Sequence, residues 1–115
     1  MATLTTQVVT RAGVNPTYGA VAGGGDACEC DPDIFVHIKN GQASPITVTA
    51  AIPTSASAWG AVVYTNTVVS VTNGQERMIG PINPGIYKDP TTGLCTLTYS
   101  SSTSITIGVF KVQEP

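Results

Sequence analysis

The stretch Asp33-Ile34-Phe35-Val36-His37-Ile38-Lys39-Asn40 constrains this chain more than any other. Side chains alternate across a strand with a period of two. Ile34, Val36 and Ile38 therefore share one face, and Phe35, His37 and Lys39 share the other. The β-branched and aromatic content suits a half-buried pleated surface. Asn40-Gly41 follows as a turn signal.

The same logic reads the rest of the C-terminal part. Ile46 to Ile52 alternates, with Ile46, Val48, Ala50 and Ile52 inward and Thr47 and Thr49 outward, and Pro53 stops it. Val62-Val63-Tyr64 and Thr67–Val71 read as strands. Asn73-Gly74 then signals a β-hairpin into Gln75–Gly80. Ile86-Tyr87-Lys88 reads as a short strand, and Asp89–Gly93 as a turn. Leu94–Tyr99 and Ser104–Val112 read as the last pair of strands. No stretch reads as a helix of useful length, because the Ala-rich run before Tyr64 is broken by Trp59-Gly60 and β-branched neighbours. Short strands at roughly ten-residue spacing predict an all-β fold, an antiparallel β-sandwich or small barrel of about seven to eight strands. Ile34, Val36, Ile38, Val48, Leu97, Ile105 and Ile107 are its expected core.

The first 30 residues read differently. Leu4–Thr10 is strand-like, but Asn15-Pro16 disfavours helix and Gly23-Gly24-Gly25 has the composition of a flexible linker. The expected organisation is an extended Gly-rich N-terminal arm over residues 1–30 and a sandwich domain over 31–115. Val8, Val9, Val14 and Tyr18 are apolar anchors that a solvated tail would not need. They suggest a segment ordered by a neighbouring subunit. Deletion of Met1 to Gly25 is accordingly expected to leave the sandwich folded.

The chain has 115 residues, enough for one domain with a modest core. Charged residues are 10 % of it, against about 25 % in ordinary soluble domains. Such a surface is either rich in Thr and Ser or covered by a partner. With 5 basic and 7 acidic residues and no basic block, there is no electrostatic footprint for nucleic acid. No apolar run approaches the ~20 residues of a membrane helix. Met1–Thr6 lacks the basic and apolar regions of a signal peptide, so a protein made in a cytosol is expected.

Chemistry-bearing motifs are sparse. The 3 cysteines are an odd number, a poor disulfide framework. Cys28-Glu29-Cys30 with distant Cys95 and the single His37 is a weak match to a four-ligand zinc site, so no metal is expected and Cys95 reads as a small buried hydrophobe. Asp26, Glu29, Asp31 and Asp33 lack the spacing of a calcium loop. Gly23-Gly24-Gly25 is followed by no Lys-Ser/Thr pair and is no phosphate loop. Acidic neighbours beside Cys28 and Cys30 disfavour a reactive thiolate. No enzyme activity and no cofactor are expected. Trp59, the only Trp, reads as either a core cap or an interface anchor.

The order of these pieces carries a resemblance. A Thr/Val strand leads to Arg11-Ala12-Gly13-Val14-Asn15-Pro16-Thr17-Tyr18, then to a Gly-Gly-Asp segment, the Phe35–Gly41 strand, an Ile/Val/Thr strand, Ile79-Gly80-Pro81 and a Leu-Thr-Tyr strand. This resembles the small decoration (cement) and minor virion proteins encoded beside the major capsid protein in tailed phages. The resemblance implies a β-sandwich on the outer surface of an icosahedral head, assembled in the host cytoplasm. Its implied partners are the major capsid protein and sister subunits, with a homotrimer favoured. Val8, Val9, Val14, Tyr18, Phe35, His37 and Trp59 are the expected interface residues. The Cys28-Glu29-Cys30 element departs from the pattern. The alternative expectation is a tail or head-fibre adhesin module binding host-surface carbohydrate, which would cluster exposed aromatics from among Trp59, Tyr64, Tyr87 and Tyr99.

Overall fold

The computed structural model describes residues 2–52, 66–89 and 91–113. Two sheets face each other across one apolar layer, so the chain is a β-sandwich. The first sheet holds β1 (Ala2–Thr3), β4 (Asp26–Glu29), β9 (Leu94–Tyr99), β6 (Ile46–Ala50) and β7 (Thr67–Val71), in the order β1-β4-β9-β6-β7. The second holds β2 (Thr6–Val9), β10 (Ile105–Val112), β5 (Ile34–Asn40) and β8 (Glu76–Ile79), in the order β2-β10-β5-β8, with β3 (Gly19–Ala20) also on β10. All pairings are antiparallel except β1 with β4 and β2 with β10. The expected strand Val62–Tyr64 lies outside the described residues.

The period-two reading places the core. All seven expected core residues are buried, and β5 alternates buried and half-buried along its whole length. Val71, Ile82, Val109 and both Cys28 and Cys95 complete the layer. Ile52 is only half-buried, because β6 ends at Ala50.

Three local expectations are corrected. Asn73-Gly74 does turn the chain, with Gly74 at φ 73° where a side chain would be strained. It makes an arch between the sheets, however, and no hairpin: β7 pairs with β6, and β8 pairs with β5. Likewise β9 and β10 are not partners; β9 lies between β4 and β6, and β10 lies beside β5. The segment Ile86–Lys88 is no strand, since Pro84–Tyr87 forms the single-turn helix α1. Asn83 is its cap, accepting from the Gly85 amide at 2.8 Å, and Pro84 starts it where no backbone donor is needed.

The largest correction concerns residues 1–30. They supply four strands, edging both sheets, and so do not form an extended arm separate from a 31–115 domain. β4 sits between β1 and β9, inside its sheet, and Val21, Asp26, Ala27 and Cys28 are buried. The Leu4 amide donates to the Ala27 carbonyl at 2.8 Å, and Val21 donates to Ile105 at 3.2 Å. Backbone groups that open sheet edges would leave exposed are thereby paired. Gly25 allows the entry into β4: its φ is 101°, and a Cβ there would stand 2.7 Å from the Leu97 carbonyl oxygen.

Asp26 is the buried carboxylate of this region, 1 % exposed. It accepts from the Tyr99 hydroxyl at 2.8 Å and the Ala22 amide at 3.2 Å. Asn40, also buried, donates to the carbonyls of Ser44 and Val71 and accepts from the Gln42 amide. Among the described residues, no buried side-chain nitrogen or oxygen lacks a hydrogen-bond partner.

Candidate functional site

The outward face of the second sheet carries a pair of stacked aromatics. Phe35 on β5 and Phe110 on β10 are register partners, their rings stacked with centroids 5.5 Å apart and planes at 25°. Phe110 is out of phase with Ile105, Ile107 and Val109, so it leaves the core and points to this outer side. It is nevertheless 4 % exposed, because the chain between β2 and β3 folds back over it.

That return segment is pinned at two points. The Gln7 amide pairs with the backbone of Thr17, donating to its carbonyl at 2.8 Å and accepting from its amide at 2.8 Å. These two bonds imitate one rung of a β-ladder. The sheet makes room at Gly108, where a Cβ would meet the Phe110 ring at 2.9 Å and the Thr17 carbonyl at 3.1 Å. Tyr18 is the second pin. Its ring lies 5.8 Å from Phe110 and 5.2 Å from His37, edge-on to the imidazole at 81°. The Lys39 ammonium stands 3.8 Å from the Tyr18 ring centroid, a cation–π contact.

His37 is bonded through both ring nitrogens. Nδ1 is 2.6 Å from the Tyr18 hydroxyl, and Nε2 is 2.7 Å from Glu76 Oε1. A carboxylate only accepts, so Nε2 carries a proton; in the neutral ring Nδ1 then accepts from the Tyr18 O–H. The order Tyr–His–Glu has the connectivity of a nucleophile, base and orienting group. The electrostatics oppose that use. Burial first, and the Glu76 charge second, hold the Tyr18 phenol above its ordinary value, whereas a nucleophile needs its proton removed easily. The string works as a latch that fastens residues 13–18 to the sheet.

Beside the latch lies a groove of about 180 Å³, lined by Val9, Val14, Pro16 and Tyr18 on one side. Phe35, His37, Phe110 and Met78 close the other. Met78 is 69 % exposed and Val14 is 38 % exposed. Small-molecule pockets typically span about 300–1,000 Å³, so this groove is smaller than those. Five of the expected interface residues, Val9, Val14, Tyr18, Phe35 and His37, therefore meet at one place. Val8 does not: it borders a wider hollow of about 470 Å³ with Asp31, Asp33, Lys111 and Gln113. That larger hollow is rimmed by the Lys111–Asp31 ion pair at 3.3 Å and lacks aromatic walls, which makes it the weaker candidate despite its size. Trp59 lies outside the described residues. Phe110, Met78, Gln7 and Glu76 were not anticipated. The out-of-phase aromatic at 110, opposite Phe35, is the sequence signal that points to this face.

Of the aromatics expected to cluster for carbohydrate binding, Tyr87 and Tyr99 lie among the described residues, both partly buried against the core. The Tyr87 hydroxyl bonds to Thr67 Oγ1 at 2.7 Å, and the Tyr99 hydroxyl is turned to Asp26. Tyr64 lies outside the described residues. The three cysteines, distant in sequence, converge: Cys28 and Cys95 are register partners across β4 and β9, and Cys30 packs beside them. Among the described residues, no group of three or more His, Cys, Asp or Glu is arranged to hold a metal ion. Comparison of the chain with protein-family models, curated proteins and solved structures returns no match.

Proposed function

We propose that this chain is a structural protein of the capsid-decoration kind, a β-sandwich that seats on the outer surface of a phage head. In this reading the outer face of the second sheet is its contact surface. The observation that carries the reading is the exposed groove between Val14 and Met78, floored by Phe35 and Phe110. Exposed aliphatic and thioether groups around an aromatic floor are typical of surfaces that bury a partner's anchor side chain. The low charge of the chain supports the same reading, since charged groups are depleted from interface centres. The resemblance in the order of sequence elements supplies the partner class, the major capsid protein, with sister copies forming a trimer around it. Many copies on one shell add avidity to a modest individual contact.

The test is occupancy of undecorated heads by wild type, Met78→Glu and Val14→Glu, with Val68→Glu on the first sheet as control. Val68 is 60 % exposed on β7, in the other sheet from the groove. A carboxylate forced into an apolar contact is expected to weaken binding by about tenfold or more. Equal occupancy by Met78→Glu, Val14→Glu and wild type, with native circular dichroism, would refute the groove as the contact surface. Failure of even the wild type to bind any capsid would refute the decoration role.

A further inference from the structure

We infer that Cys28, Cys30 and Cys95 form a thiol–disulfide exchange site, in which Cys30 admits a small-molecule disulfide and Cys28–Cys95 becomes the stored cystine. The register places Cys28 directly opposite Cys95. The Ala27 carbonyl points to β1, where it accepts from Leu4, and the Thr96 carbonyl points the other way, to Ala51. Strand backbones alternate, so the peptide groups of Cys28 and Cys95 face each other as a hydrogen-bonded pair. Such pairs have Cα atoms about 5.5 Å apart, within the span a disulfide bridges. Both side chains are fully buried in the same core layer.

Cys30 differs in the one respect that matters for access. It lies two residues after Cys28, one past the end of β4, and is half-buried. It packs against the core cluster that holds Cys28 and Cys95. Exposure therefore falls from Cys30, half-buried, to the fully buried pair Cys28 and Cys95.

The exchange balances without any further reagent. The Cys30 thiolate attacks a disulfide RSSR, forming Cys30–S–S–R and releasing one RSH. Cys95 attacks the Cys30 sulfur, forming Cys30–Cys95 and releasing the second RSH. Cys28 then attacks the Cys95 sulfur, forming Cys28–Cys95 and returning Cys30 to the thiol. Two electrons and two protons pass from the protein to RSSR. The Cys30–Cys95 contact and burial raise the Cys30 thiol well above its ordinary value. Cys95 is pushed up to about 12, chiefly by its hydrogen bond with Cys28. The thiolate is the attacking species, so the reaction is slow at neutral pH and its rate climbs about tenfold per pH unit below those values.

The experiment exposes the purified full-length protein to 2-hydroxyethyl disulfide at several pH values and maps the cystines by mass spectrometry. Wild type is expected to lose two hydrogens and yield a Cys28–Cys95 peptide pair. Cys95→Ser is expected to stop at the hydroxyethyl adduct on Cys30, and Cys28→Ser at Cys30–Cys95. Cys30→Ser is expected to slow formation of Cys28–Cys95 by about tenfold or more. A wild-type protein that retains the Cys30 adduct, or forms no cystine while folded, overturns the proposal, and this needs no variant. An unchanged rate in Cys30→Ser overturns the role of Cys30.

Discussion

Replacing Tyr99 by Phe deletes one oxygen and isolates a buried charge. The Tyr99 hydroxyl donates to Asp26 Oδ2 at 2.8 Å, and Asp26 is 1 % exposed. Its one other described donor is the Ala22 amide, at a longer 3.2 Å. Hydrogen bonds to charged groups contribute roughly 1.5–3 kcal/mol, and a buried acceptor left short of partners costs a similar amount. The expected loss is about 2 kcal/mol, or about 8 °C in Tm for a domain of this size. Tyr87→Phe is the internal control. Its hydroxyl meets a neutral partner, Thr67, at 2.7 Å and is only part-buried, so about 0.5–1 kcal/mol is expected.

Urea unfolding of both variants, with the Asp26→Asn/Tyr99→Phe double-mutant cycle, checks the ordering and isolates the pairwise coupling. The pH dependence gives a second readout. Burial first, and Asp26 second, raise the Tyr99 phenol above its ordinary 10.0. The folded protein then keeps this proton after the unfolded chain has lost it. The resulting stability is complete below pH 10 and declines as pH climbs above it, and Tyr99→Phe removes that decline. A loss under about 0.5 kcal/mol, or an unchanged alkaline limb, would refute the claim that Asp26 depends on Tyr99.

Three further outcomes follow from the packing. Deletion of Met1 to Gly25 is expected to unfold or grossly destabilise the domain, because it strips β1, β2 and β3, removes buried Val21 and uncovers Phe110; a truncated protein with native circular dichroism and unchanged Tm would restore the separable arm. Val36→Asp places an unpaired carboxylate at a position with 0 % exposure and is expected to abolish cooperative unfolding; a wild-type melt would sink the β5 assignment. Asp31 is held below its ordinary 3.8, first by the Asp33 amide and then by Lys111, so stability present above that pH falls as it is protonated below it. Asp31→Asn should flatten that acid limb, and an unchanged acid titration would argue against the contact.

What the sequence made legible is the side each residue faces. The alternation Ile34, Val36, Ile38 against Phe35, His37, Lys39 is a local property, fixed by the pleat, and it survives in the structure. Strand partners are not local. Asn73-Gly74 announces a reversal of direction, but whether the next strand stays in its sheet depends on which partner offers a matching apolar face. β8 finds β5 and leaves β7. Residues 1–30 were the hardest to read for a related reason. β1 and β3 span two residues each, too short for a period to show, and β4 is written Asp-Ala-Cys-Glu with no apolar alternation. The composition of Gly23-Gly24-Gly25 suggests flexibility, where Gly25 instead permits close backbone approach.

Val8 and Val14 on the N-terminal segment stay exposed, whereas Tyr18 needs a surface to cover. Tyr18 finds that surface on the chain's own sheet, against Phe110 and His37. This changes what the segment contributes to binding. An arm that folds only on its partner must be ordered at the moment of contact, and that ordering subtracts from affinity. Here Gln7 holds Thr17, His37 holds Tyr18, and Glu76 holds His37 before any partner arrives. Val14 and Pro16 are thus presented as one wall of a preformed groove opposite Met78. In the contact we propose, a partner side chain entering the groove would meet a surface already ordered, which lowers the cost of binding. Tyr18→Phe separates the two contributions. It keeps the ring over Phe110 and loses the bond to His37, so the groove's wall loosens while its apolar area stays. A binding loss out of proportion to the buried area removed is what preorganisation requires.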